Sequence, residues 1–348
     1  MENRSISLLG FKLKMYLVFS VILAYIAFGL GVQYAVVLFL SGIEGLELLV
    51  TIYSILITVM VAAFVMPWFV SEWLFTSVMK ADIDSAYDAK LVSAVSKVSN
   101  YFGMETPRIA YSKYLEPNAF AFHGTGGPVV GATMALVRAL PEDELEAVMA
   151  HELAHIKNRD ALLVTSIGLG LAAVYTISYH IIPALGSRRS RGRGLGLLLF
   201  PSWFIGLVGI PVRMLFFYFS RLREEYADAV AAMTVPDGAD KLQRALCRIH
   251  LLNQKLGYAP STSGRSFLRE FYRELSVFLT LESSLPPQED SLDRFFHVSD
   301  EEVQQAVEQM KMYKISVWAR LKPRRTHPHI SERIRKLERL KTRQTALL

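Results

Sequence analysis

The sequence predicts an α+β fold, mainly helical and membrane-associated, with a small β-sheet beside an HExxH helix and four hydrophobic helices. Three observations carry this expectation. Four long apolar runs occupy about residues 15–40, 48–70, 161–185 and 195–219. Three short strand-like segments, 107–111, 118–122 and 129–133, are separated by Glu-Pro and Gly-Thr-Gly-Gly-Pro turn signals. The remainder is polar with helical periodicity. The expected division is therefore 1–80, 81–160, 161–219 and 220–348, alternating hydrophobic helix pairs with the two parts of a soluble domain.

The first apolar run has no charge and follows Arg4, Lys12 and Lys14. It is too long for the hydrophobic region of a signal peptide and reads as a retained transmembrane helix. The loop before the second run carries Glu44 and Glu47 but no base, and Lys80 closes the pair. Positive charge on both outer flanks predicts that the N-terminus and the domain after residue 80 lie on the cytoplasmic side. Within that domain, 84–102 has a helical period, the three strands form a meander, and Pro141-Glu142-Asp143-Glu144 opens a helix. The acids there sit at the positive end of the helix dipole.

The third and fourth runs flank a loop with Arg188, Arg189, Arg191 and Arg193. If both runs span, these arginines fall on the side where positive charge is disfavoured, so a re-entrant hairpin competes with two crossings. His180, Pro183, Pro201, Pro211 and Arg213 also make these runs less lipid-like. From residue 220 the chain is helical and polar, with a loop around Pro286-Pro287 and a helix start at Ser299.

Composition narrows the partners. Hydrophobic residues make up 52% of the 348, and the formal net charge is +6. The bases cluster beside the apolar runs and in the last quarter, without a nucleic-acid recognition motif, so anionic membrane lipids rather than nucleic acid are the expected partner. Cys247 is the only cysteine, which excludes an intrachain disulfide and a cysteine-based metal site. The sequence carries no signature of oligomeric state.

The stretch that carries chemistry is His151-Glu152-Leu153-Ala154-His155. On a helix the two histidines are one turn apart and share a face, suited to one tetrahedral Zn2+ with an open position. Glu152 then fits the general base that takes a proton from an attacking water. Only five residues separate His155 from the third apolar run, so a continuous helix puts the site about 10 Å from the membrane face. Downstream, Glu224 and Asp228 are four apart on a probable helix face. Glu224 supplies a third ligand, and Asp228 suits the position behind a ligand histidine, fixing its tautomer. Taken alone, the same residues read as an ordinary charged helix surface.

Together, PNAFAFHG, ELEAVMAHELAHIKNRD, SRLREEYADAVA and THPHISERI, in this order with the paired hydrophobic runs, resemble the HtpX-type membrane metalloproteases of the M48 peptidase group, which also includes CAAX-prenyl endopeptidases. The resemblance implies a gluzincin-like fold and one zinc ion per chain held by His151, His155 and Glu224. It also implies Glu152 as base and Asp228 as supporting acid. One departure is that Tyr226 stands one place later than the pattern expects, leaving Glu225 as the competing ligand; the spacing to Asp228 favours Glu224. Asn118, Ala119 and Phe120 resemble the family's edge strand, on which an extended substrate peptide adds. His327 has two readings, a donor to the oxyanion or a surface histidine that helps cap the next helix. The family implies quality-control proteolysis of unfolded or misassembled membrane proteins. A specific processing protease of CAAX-prenyl type and a silent metal-binding scaffold are the alternatives, and an intact Glu152 argues against the scaffold.

Overall fold

The computed structural model describes residues 80–84, 88–124, 126–159, 195–256, 296–313 and 329–345, with isolated positions before residue 80. The chain forms two compact units, one from 1–8, 68–162 and 223–348, the other from 9–67 and 163–222. Every element below belongs to the first unit, apart from the N-terminal part of one long helix.

Strand β1 (Ala81–Ile83) precedes helix α1 (Ala89–Phe102). Asp88 caps α1 by accepting from the Lys90 and Leu91 amides, and Gly103 ends it in the left-handed region at φ 59°. Leu91, Val95, Val98 and Phe102, spaced by three and four, form its buried stripe.

Strands β2 (Arg108–Ser112), β3 (Ala119–Gly124) and β4 (Gly127–Thr133) complete a mixed sheet of order β1-β2-β4-β3. This corrects the expected meander. β4 lies between β2, its parallel neighbour, and β3, its antiparallel one. The reason is burial. Val129 to Thr133 are all buried, so β4 has no polar face to show and takes the interior, whereas β3 alternates buried Phe120 and Phe122 with part-buried Ala119, Ala121 and His123 and takes the edge. β1 went unforeseen because three residues are too few to display a period.

Two residues fix this arrangement. Gly131 faces Phe120 across the β3–β4 ladder, and a Cβ there would stand 2.6 Å from both the Phe120 ring and the Ala110 carbonyl. Thr133 Oγ1 donates to Glu116 O at 2.7 Å and accepts from Asn118 N at 3.0 Å. It also caps helix α2 (Met134–Ala139).

Helix α3 (Glu142–Asn158) carries the HExxH motif. Pro141 precedes it, Glu142, Asp143 and Glu144 fill its first turn, and Arg159 closes it at φ 55°. It is buried on most sides because α1, the β3–β4 edge of the sheet and helix α5 (Gly238–Lys255) all pack on it. The 40-residue helix α4 (Leu195–Thr234) holds the fourth apolar run in its first half and Glu224 in its second. Helices α6 (Asp300–Met312) and α7 (Ile330–Thr345) pack on α5 around Cys247, Leu252, Phe296, Val303 and Ile334. The expected start of α6 is a full capping box between Ser299 and Glu302.

A buried charge network ties α5 to both sides. Arg248 donates from Nε and Nη2 to the two oxygens of Glu144 at 2.8 and 2.9 Å, and from Nη2 to Asp300 at 2.6 Å. Its Nη1 donates to the Val298 carbonyl. Among the described residues no helix is long and apolar enough to cross a membrane. The runs at 48–70 and 161–185, the arginine loop and all but isolated positions of 15–40 lie outside the described residues.

Candidate metal centre

The helical spacing of α3 puts the two motif rings edge to face, with centroids 4.8 Å apart and His151 Nε2 3.2 Å from His155 Nε2. From α4, Glu224 reaches both: Oε2 is 3.5 Å from His151 Nε2 and Oε1 is 3.6 Å from His155 Nε2. Relative exposures of 7%, 6% and 2% bury all three. Zinc ligands stand about 2.0–2.1 Å from the metal, and tetrahedral angles then separate donor atoms by about 3.3 Å. The observed spacings of 3.2, 3.5 and 3.6 Å fit that requirement.

Behind His151 stands Asp228, with Oδ1 2.9 Å from Nδ1. That separation is within hydrogen-bond reach, so the carboxylate faces the ring nitrogen that a metal on Nε2 leaves free. Asp228 is in turn gripped by a fork from α7: Arg333 Nε donates to Oδ2 at 2.8 Å and Nη2 to Oδ1 at 2.6 Å. Burial alone would raise the Asp228 carboxyl, but Arg333 and His151 outweigh it and hold it down at about 2. Burial likewise works to lower His151, yet the Asp228 and Glu224 carboxylates push it up to about 9. The field at the site favours positive charge.

Glu152, one residue beyond His151 and part-buried, contributes to the acidic surroundings that raise the Arg333 guanidinium against its burial, together with Asp228 and Glu224. Glu225 does not approach the histidines; it pairs with Lys336 of α7. The structure therefore brings Glu224, not Glu225, to the donor set. Asn118 immediately precedes β3, its carbonyl accepting from Thr133 N at 2.9 Å. Ala119 and Phe120 open that strand, whose one neighbour among the described strands is β4. The Phe120 ring is core, 3% exposed and packed over Gly131, so only its backbone belongs to the strand edge. His327 lies outside the described residues. At the start of α7, His329 Nδ1 accepts from Ser331 N at 3.2 Å.

Two site residues were missed from sequence. Arg333 lies inside the THPHISERI segment, a signal that was present but without a role attached. Arg223 immediately precedes Glu224 and donates from Nη2 to its Oε1 at 2.9 Å. Adjacent helix residues diverge by a third of a turn, so no spacing rule brings this pair together.

Two histidines a turn apart and a glutamate from a second helix form the donor set of a metallohydrolase. The chain belongs to peptidase family M48, whose family model matches residues 85–341, and this makes it a metalloprotease. The HtpX-type resemblance holds along nearly the whole chain. A protease HtpX homolog of Thermoplasma acidophilum is 28% identical over 96% of this chain and 99% of its own. A second, of Sulfurisphaera tokodaii, is 29% identical over 94% and 97%. One of Pyrococcus abyssi is 31% identical over 68% and 85%. Among solved structures, Ste24p of S. mikatae matches at 16% identity and a TM-score of 0.37, covering 84% of this chain and 66% of that one, too distant to bear on the site.

Proposed function

We propose that the chain is a membrane-bound, zinc-dependent endopeptidase that hydrolyses unfolded or misassembled membrane proteins. The observation that supports it best is the buried trio of His151, His155 and Glu224, with donor atoms at tetrahedral separations, on a chain with four long apolar runs. His151, His155 and Glu224 would hold the zinc, which when bound would supply Lewis-acid polarisation of the scissile carbonyl and acidify the attacking water. Glu152 takes the proton of the attacking water and delivers it to the leaving nitrogen. Asp228, held by Arg333, keeps the His151 proton on Nδ1 and so leaves the Nε2 lone pair for the metal. An extended substrate adds to β3 along Asn118, Ala119 and Phe120, pairing through backbone groups. Backbone pairing reads no side chains, which suits a broad range of unfolded sequences. His327 is the donor to the oxyanion. The apolar runs hold the catalytic unit at the cytoplasmic face, with lysines and arginines toward anionic lipid.

The test is cleavage of a generic unfolded protein by the full chain in detergent, purified with chelator and then given zinc, beside Glu152→Gln. Proteolysis that starts with zinc and vanishes in the variant is expected. A zinc-loaded wild type without activity would redirect the function to a narrow processing enzyme or a scaffold. Activity that persists in the variant would remove Glu152 as the base.

A further inference from the structure

The register of β3 on β4 decides which of its backbone groups face an added peptide. In an antiparallel ladder, opposed residues alternate between pairs that exchange both hydrogen bonds and pairs that exchange none. Asn118 O accepts from Thr133 N at 2.9 Å, which makes these two a bonded pair. With Phe120 opposite Gly131 and Phe122 opposite Val129, the bonded pairs continue at every second residue. The N–H and C=O groups of Asn118 and Phe120 therefore face β4, and those of Ala119 and Ala121 point to the outer edge of the sheet. Ala119 and Ala121 are part-buried, and β3 packs on α3, the helix of His151 and His155.

The first bonded pair has an unusual member. Thr133 is the N-cap of α2, and an N-cap residue gives its carbonyl to the helix rather than to a strand. Its hydroxyl takes over in the ladder, accepting from Asn118 N at 3.0 Å and donating to Glu116 O at 2.7 Å. Thr133 is 1% exposed, so water does not readily replace these bonds. Further along, the Phe120 ring over Gly131 holds the strand by packing, so the task of the hydroxyl is confined to the entry at 116–119.

We propose that Thr133 is a positioning residue for the substrate: its hydroxyl pins the start of β3 to β4, so that the backbone groups of Ala119, in line with those of Ala121, meet the incoming peptide. The inference rests on the strand-addition reading given above and deepens it, since it names which backbone groups pair and what aligns them. Without the hydroxyl the entry to β3 loosens and Ala119 loses its alignment, while Ala121 keeps the support of Phe120 and Phe122 on either side.

The test begins with amide hydrogen exchange of the full-length, metal-free protein in detergent, a readout independent of turnover. In Thr133→Val the stretch 116–119 is expected to exchange roughly tenfold faster than in wild type, with 120–124 unchanged. Thr133→Ser, which keeps the hydroxyl, is expected to match wild type. The zinc-loaded proteins are then given a peptide that wild type cuts at one bond, in a series with each residue N-methylated in turn to remove its N–H donor. Wild type is expected to lose kcat/KM at alternate positions, the period of an added strand. Thr133→Val is expected to cut the same bond with kcat/KM lowered roughly 10- to 100-fold, the scale of a small misplacement of substrate. It should also lose the sensitivity at the position facing Ala119 and keep the one facing Ala121. A merely structural role would lower the unfolding midpoint of Thr133→Val and leave the methylation pattern as in wild type; that result overturns the proposal and leaves strand addition standing. A wild type without alternation overturns strand addition, and the proposal with it. If Thr133→Val does not fold, Ala121→Pro decides. It removes an N–H that faces away from β4, so the protein should fold and bind zinc but raise KM roughly tenfold; an unchanged KM overturns the register on which the proposal stands.

Discussion

Arg248→Met tests how the HExxH helix is anchored. Arg248 and Glu144 are 3% and 2% exposed, and Glu144 lies two turns before His151 on α3. Removing the guanidinium leaves a buried carboxylate whose remaining ion-pair partner among the described residues is Arg244, 3.7 Å away and itself 40% exposed. Breaking a buried pair from one side costs about 3–5 kcal/mol. The first-turn position of Glu144 at the positive end of α3 returns about 0.3–1 kcal/mol. The buried Val298 carbonyl loses a donor as well, adding about 1 kcal/mol. Asp300, with 86% of its side chain exposed, finds water instead. The expected loss is therefore about 4 kcal/mol. Removing both charges with Arg248→Met and Glu144→Leu should cost only about 1–2 kcal/mol, because no charge is then buried alone. The assay is equilibrium denaturation of the full chain in micelles with labelling of Cys247 as the probe. A single variant within 1 kcal/mol of wild type, or a double variant as unstable as the single, would refute the reasoning.

Glu224→Ala should abolish stoichiometric zinc while Glu225→Ala retains it, as metal analysis of dialysed protein will check; the reverse result would move the ligand by one residue. Gly131→Ala places a Cβ 2.6 Å from the Ala110 carbonyl and the Phe120 ring, and overpacking of this kind costs about 1–3 kcal/mol. A backbone carbonyl held in the β2–β4 ladder yields little, so the thermal midpoint should fall by several degrees, and an unchanged midpoint would contradict the packing. Burial pushes the Cys247 thiol up to about 12, with Glu144 adding to the effect. Thiol reagents at pH 8 should therefore label the native protein far more slowly than the denatured one, whose thiol returns to about 8.5; equal rates would mean the α5–α6–α7 core is open.

Much of the site was legible before folding because its logic is local. A helix of 3.6 residues per turn obliges His151 and His155 to share a face, whatever surrounds them. The acids at 142–144, the capping box at Ser299 and Glu302, and the strand-like segments were equally readable, since caps and short periods are properties of neighbours in sequence. Their order in the sheet was not. A meander and the observed β2-β4-β3 order have the same strands, and only the amount of apolar surface that each strand must hide, settled by what packs above and below, chooses between them. The choice of Glu224 over Glu225 was likewise tertiary, made where α7 takes Glu225 with Lys336 and Asp228 with Arg333. Arg333 reaches Asp228 across 105 residues, and no periodicity of 3.6 or 2 records a contact at that range. The sequence by itself determined which residues have the chemistry of a metal centre; the packing of α3, α4 and α7 decided which of them meet, because charge pairs form by distance in space and not by spacing along the chain.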